Sequence, residues 1–163
     1  MGNRVNDLVF KLIGSIKRQR GVLSEILDIV KEENEAIINS DLERLNSSIE
    51  RQEDKKDELK ALVDEILPVE KELAKYFKLE TFSPEKIVNL IDAPLKDDLS
   101  AQLDKLNQIL SHVMRLEEEN EQMLEEKMVK VKEELISIKK ERMLRNTYSK
   151  KVGKSAIYID KNL

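Results

Sequence analysis

The stretch that most limits what this chain can become is Ile26 to Leu67, ILDIVKEENEAIINSDLERLNSSIERQEDKKDELKALVDEIL. Leu23, Ile26, Val30 and Ile37 recur in steps of three, four and seven, the last being one step of each. After a break at Asn39-Ser40-Asp41 the same rhythm resumes in Leu42, Leu45, Ile49, Leu59, Val63 and Ile66. That spacing lines one face of a helix with apolar side chains. Ser40 followed by Glu43 has the form of a capping box, in which the hydroxyl takes an orphan amide and the carboxylate reaches back. So short a break forces the two helices antiparallel. The pattern predicts a helical hairpin.

The same seam extends back through Val5, Val9, Leu12, Ile16 and the polar Gln19, with Glu33 as a second polar member. Gly14 and Gly21 lie on this helix and either permit close backbone approach or loosen its first turns; the absence of an identifiable bulky neighbour favours loosening. In the second helix Gln52 and Lys56 interrupt the seam, and Pro68 predicts a kink or break near Leu67. A polar layer of this kind fixes register between helices, or marks a groove that is open in the free protein.

A connection over Lys78 to Pro94 contains Ser83-Pro84, a cap followed by a first-turn proline, and a short apolar helix through Ile87, Val88, Leu90 and Ile91. Asp97 and Asp98 complement the dipole of the next helix. That last helix is predicted over Leu95 to Asn146, about 78 Å long at about 1.5 Å per residue. Its seam runs Leu99, Leu103, Leu106, Leu110, Val113, Glu117, Asn120, Leu124, Met128, Val131, Leu135, Ile138, with a register slip at Leu124–Met128. With Phe77 opposite its start, Leu42 falls opposite about residue 132, so Leu135, Ile138, Met143 and Leu144 would overhang the hairpin tip.

Composition narrows the class. Charged residues make up 38% and aromatics 4%, with no tryptophan, as in long amphipathic helices. The expected fold is all-α: an elongated antiparallel helical hairpin, a short helix and a long third helix. It forms one domain over 1–146, followed by a flexible tail over 147–163 whose patch Ala156-Ile157-Tyr158-Ile159 is too short for a sheet of its own. A net charge of −4 makes no overall demand for nucleic acid, although Lys139 to Lys154 carries seven basic residues against the single acid Glu141. The absence of cysteine suits a reducing compartment, and no signal peptide or membrane span is evident, which reads as cytoplasmic.

Little in the chain resembles an active site. His112 is the one histidine and reads as a surface residue; the carboxylates sit in helical charge runs, and no glycine-rich loop follows a strand. Neither catalysis nor a cofactor or metal is expected. Met114, Met123, Met128 and Met143 all fall on the last helix. Methionine suits a surface that accepts varied apolar partners, or else fills irregular gaps in a helical core. Combined with the overhang, it favours a role in which a partner helix completes the bundle.

The run Glu33, Ala36, Asp41, Leu45 and the closing Tyr148, Gly153, Ile159-Asp160 resemble the FlgN family of flagellar type III export chaperones. The resemblance implies a FlgN-like coiled-coil bundle that holds the C-terminal amphipathic segment of hook–filament junction proteins. It would prevent their premature assembly and deliver them to the membrane export gate. The cargo surface would comprise Val113, Met114, Met123, Leu124, Met128, Val131, Leu135, Ile138 and Leu144, and Tyr148 with its tail would contact the gate. Competing readings are a structural coiled coil dimerising through the same seams, and a membrane-surface or nucleic-acid binder using the basic ends.

Overall fold

The computed structural model describes residues 2–161, with side chains through residue 149. Four helices follow one another: α1 (Asn3–Ile38), α2 (Leu42–Tyr76), α3 (Pro84–Val88) and α4 (Leu95–Lys161). Among the described residues there is no strand, and the architecture is an all-α helical bundle. The chain forms two compact units, Met1–Asn120 and Glu121–Leu163. Among the described residues the second unit is made of α4 alone.

In the first unit α1 is the organising element rather than the hairpin as a whole. Fourteen α1 residues are buried against five of α2. The reason lies in adjacent apolar pairs: Leu8-Val9, Leu12-Ile13, Val22-Leu23 and Ile29-Val30 are buried together. A single seam needs one member of each pair; two give an arc wide enough to face two helices at once. The expected apolar seam positions of α1 are all buried, and Leu8, Ile13, Val22, Ile29 and Ala36 add the second face.

One core cluster joins α1 (Val9, Leu12, Ile16) to Ile66 and Leu73 of α2, Ile87 of α3, and Leu99 and Leu103 of α4. A second joins Val22, Ile26 and Val30 to Val113, with Leu59, Leu62 and Ile109 packed at its edge. Against the expected seams, Leu42, Val63 and Leu110 are exposed. Leu62 and Ile109, one position away from the last two, take the inward places.

The hairpin turn forms where expected, but by different chemistry. Ser40 adopts φ 53°, the left-handed region, and so closes α1 instead of capping α2. Its amide donates to the Ile37 carbonyl (3.1 Å) and that of Asp41 to Ala36 (2.9 Å), the paired bonds of a Schellman ending. The cap of α2 is Asp41, whose carboxylate accepts from the Arg44 amide at 3.1 Å. Lys78, also at φ 53°, ends α2 in the same way, with Leu79 N–H on Ala74 (2.8 Å). Pro68 lies inside α2 rather than ending it. Ser83 caps α3 with Pro84 in its first turn, and Asp97 and Asp98 occupy the first turn of α4, as the sequence predicts.

A ladder of ion pairs runs down the hairpin: Arg4–Glu72, Arg18–Glu65, Glu25–Lys55, Glu32–Arg51 and Glu35–Arg44. Each joins exposed or half-exposed side chains and adds about 1 kcal/mol or less, so the ladder selects register more than it stabilises.

Candidate helix-docking surface

Within the first unit the polar layer is closed, not open. Gln52 donates from its amide to the Glu117 carboxylate, which Lys56 also approaches at 3.1 Å. Asn120, 1% exposed, donates to the Val30 carbonyl (3.1 Å) and accepts from Asn34 Nδ2 (2.8 Å). Arg20 reaches the buried Gln102 at 2.6 Å. The Gln52–Glu117 and Asn34–Asn120 pairs therefore tie α1, α2 and α4 at one level, and Arg20–Gln102 ties α1 to α4 at a second, the register role expected of buried polar side chains. Glu33 sits in the layer with one carboxylate oxygen buried and unpartnered. Burial, reinforced by the charge of Glu117 and opposed by Lys56, pushes its carboxyl above the ordinary range.

This closure corrects one candidate. Val113, predicted on the docking surface, is 4% exposed and belongs to the core with Val22, Leu23, Ile26 and Val30. It falls on the inward line of α4 within the first unit, where α1 presents a broad face. Met114, its neighbour, is exposed.

In the second unit the remaining candidates are open or half-open. Met123 and Leu124 are half-buried; Met128, Val131, Leu135 (52%), Ile138 (46%) and Leu144 are exposed. At about 100° per residue, Leu124, Met128, Val131, Leu135 and Ile138 fall within one stripe about 80° wide. Met123 and Leu144 lie on other faces of the helix, so their apolar character does not add to that stripe. Sequence reasoning passed over a second line, Val129, Ile136 and Met143, all exposed and spaced by seven. Its signal in the sequence is the seven-residue period, which a single apolar seam per helix does not include. Lys132 and Lys139 stand between the two lines by helical angle, so a partner covering both lines would also cover their aliphatic stems. A helix face with this apolar width can receive another amphipathic helix.

α4 continues as helix through Asn146, Thr147 and Tyr148, where the sequence reading ended it. Thr147 Oγ1 donates to the Met143 carbonyl at 2.8 Å, and no proline intervenes to stop the helix. Tyr148 is 73% exposed. The side chains of the expected tail beyond Ser149 lie outside those described. His112 is half-buried on α4. Among the described residues no helix is long and apolar enough to cross a membrane.

Comparison with known proteins places these features. A family model described as FlgN protein matches residues 1–155. No curated protein matches. No solved structure matches.

Proposed function

The chain belongs to the FlgN family of flagellar export chaperones, and from that premise we propose that it carries hook–filament junction proteins in the cytoplasm by their C-terminal amphipathic segment. The family is one of chaperones rather than enzymes. The observation that carries the reading is the stripe Leu124–Ile138, which leaves Met128, Val131, Leu135 and Ile138 exposed to solvent. A subunit awaiting export must remain unassembled, and its adhesive helix needs a temporary apolar partner. The stripe supplies one, with methionine giving tolerance to more than one cargo sequence. The exposed Tyr148 and the residues after it would then serve as the handle read by the export gate, leaving the stripe to the cargo.

Two experiments test this. Leu135→Asp or Ile138→Asp should weaken calorimetric binding of a junction-protein C-terminal segment while circular dichroism stays helical. Leu135 exposes about half its surface, worth about 2 kcal/mol when covered, so the loss should reach at least about thirtyfold. Unchanged affinity would sink the cargo surface. Truncation after Arg145 should spare cargo binding and impair export; equal loss of both would make the last residues part of the cargo site.

A further inference from the structure

The end of α4 differs in charge from the rest of that helix. Between Glu141 and Asp160 there is no acidic residue, and there are five basic ones: Arg142, Arg145, Lys150, Lys151 and Lys154. Lys139 and Lys140 stand just before them. α4 runs as helix through this whole stretch. At about 100° per residue, Leu144, Tyr148, Val152, Ser155 and Ile159 fall within one arc about 80° wide. Lys140 and Lys151 stand at one edge of that arc and Arg145 at the other, while Lys139, Arg142, Lys150 and Lys154 occupy the remaining circumference. Met143, Ile157 and Tyr158 are the larger apolar residues outside the arc, and Glu141 and Asp160 bound the segment at its two ends. Leu144 and Tyr148 are 71% and 73% exposed, more open than any residue of the stripe from Leu124 to Ile138. Lys139, Lys140, Arg142 and Arg145 are exposed, and among the described residues none of them takes part in an ion pair.

We propose that residues 142–159 lie flat on an anionic bilayer surface, with the Leu144-Tyr148-Val152-Ile159 arc at the headgroup boundary and the basic residues on lipid phosphates. A helix with one apolar arc and cations around the rest is the form that rests in an interface instead of spanning it. Such a helix sinks about 5–10 Å, close to its own width, so headgroups meet both of its flanks at once. Cations at both edges of the arc are then used together, whereas a partner seated on one side would leave half of them in water. A nucleic acid would take the cations and offer the open apolar arc nothing to cover it. Tyr148, with an apolar ring and a polar tip, suits the depth at which tyrosine gathers in membranes. The inference goes beyond the cargo reading, whose stripe ends at Ile138, and gives a second surface to the segment proposed above as the gate's handle.

The test mixes the full chain with vesicles of phosphatidylcholine carrying about a quarter phosphatidylglycerol, read by cosedimentation. Binding should fall at least about tenfold on pure phosphatidylcholine, and likewise on the anionic vesicles in about 1 M salt. Each basic residue near an anionic bilayer strengthens binding about fivefold, so Lys150→Gln with Lys151→Gln and Lys154→Gln should weaken it about a hundredfold. The chain has no tryptophan, so Tyr148→Trp and Met143→Trp each introduce a single reporter, the first in the arc and the second about 140° from its centre. On anionic vesicles the emission of Tyr148→Trp should shift to the blue and be quenched by lipid brominated in its chains, while that of Met143→Trp changes little. The proposal is overturned if anionic vesicles do not bind the natural chain, if neutral ones bind it equally well, if the triple variant binds as tightly as the natural chain, or if both reporters respond alike. Tighter binding to a DNA or RNA duplex than to anionic vesicles would also overturn it, by assigning the cations to a nucleic acid. The salt and neutral-lipid arms use the natural chain, so they decide the matter even where a variant fails to fold. No cargo or gate is present, so lipid binding can fail while the chaperone reading holds, and the reverse.

Discussion

Asn120 offers the sharpest test of how the first unit is held together. Its side chain is buried, donates to the Val30 carbonyl at 3.1 Å and accepts from Asn34 at 2.8 Å. Asn120→Ala removes both bonds, each worth about 1 kcal/mol net. The space left behind adds about another 1 kcal/mol, giving about 3 kcal/mol in all. Asn34 is half-buried and can turn to water, so Asn34→Ala should cost only about 1 kcal/mol. Because the two variants remove the same bond, the double variant should fall short of their sum by about 1 kcal/mol. Urea unfolding followed by circular dichroism reads these values as shifts in midpoint at constant slope. A loss below about 1 kcal/mol for Asn120→Ala, or strict additivity with Asn34→Ala, would refute the claim that the layer clamps α4 to α1.

Three further perturbations follow from local structure. The Glu33 carboxyl is raised in the folded state by burial and by Glu117, so its contribution is favourable below the ordinary carboxylate range and is lost as pH climbs through the raised value. Glu33→Gln should therefore stabilise the chain at pH 7, with the gain vanishing below about pH 4 in urea titrations across pH. An added Cβ at Gly14 or Gly21 would meet nothing within 4 Å, so neither glycine serves close packing; each alanine replacement should add up to about 1 kcal/mol, read as a higher melting temperature. Lys78 holds a left-handed backbone at the end of α2, and Lys78→Gly should stabilise by about 1 kcal/mol; a fall in melting temperature would mean that its side chain matters more than its backbone.

Much of this fold was readable because helix periodicity and breakers act locally. The hairpin break at Asn39–Asp41, the Ser83-Pro84 cap and the first-turn acids Asp97 and Asp98 all depend on neighbours in sequence, and they appear where expected. What escaped depends on backbone torsion or on distant partners. Ser40 has the composition of a cap, yet its left-handed φ hands that role to Asp41. The apolar pairs of α1 are visible in the sequence, but their meaning appears only when two helices cover them. Val113 and Leu135 illustrate the same limit at the candidate site. Both occupy seam positions of one helix, and one is core while the other is exposed. Periodicity identifies which face is apolar; it does not say what lies against it.

The contrast between α1 and the second unit bears on how a carrier can bind and release. α1 has paired apolar positions and meets them with α2, α3 and α4, a packing that excludes water along its length. The Leu124–Ile138 stripe instead has single apolar positions per turn, with the Val129–Ile136–Met143 line across a row of lysines. Covering such a face gains apolar contact from the stripe and the lysine stems, while the ammonium groups stay hydrated. On the cargo role proposed for the stripe, that arrangement would limit both hazards of an exposed hydrophobic surface: charged neighbours offset the open apolar positions, and the affinity of any one partner would stay below that of a permanent core. A cargo that must be surrendered needs such a ceiling, since a site packed as tightly as α1 would dissociate too slowly to hand its load onward.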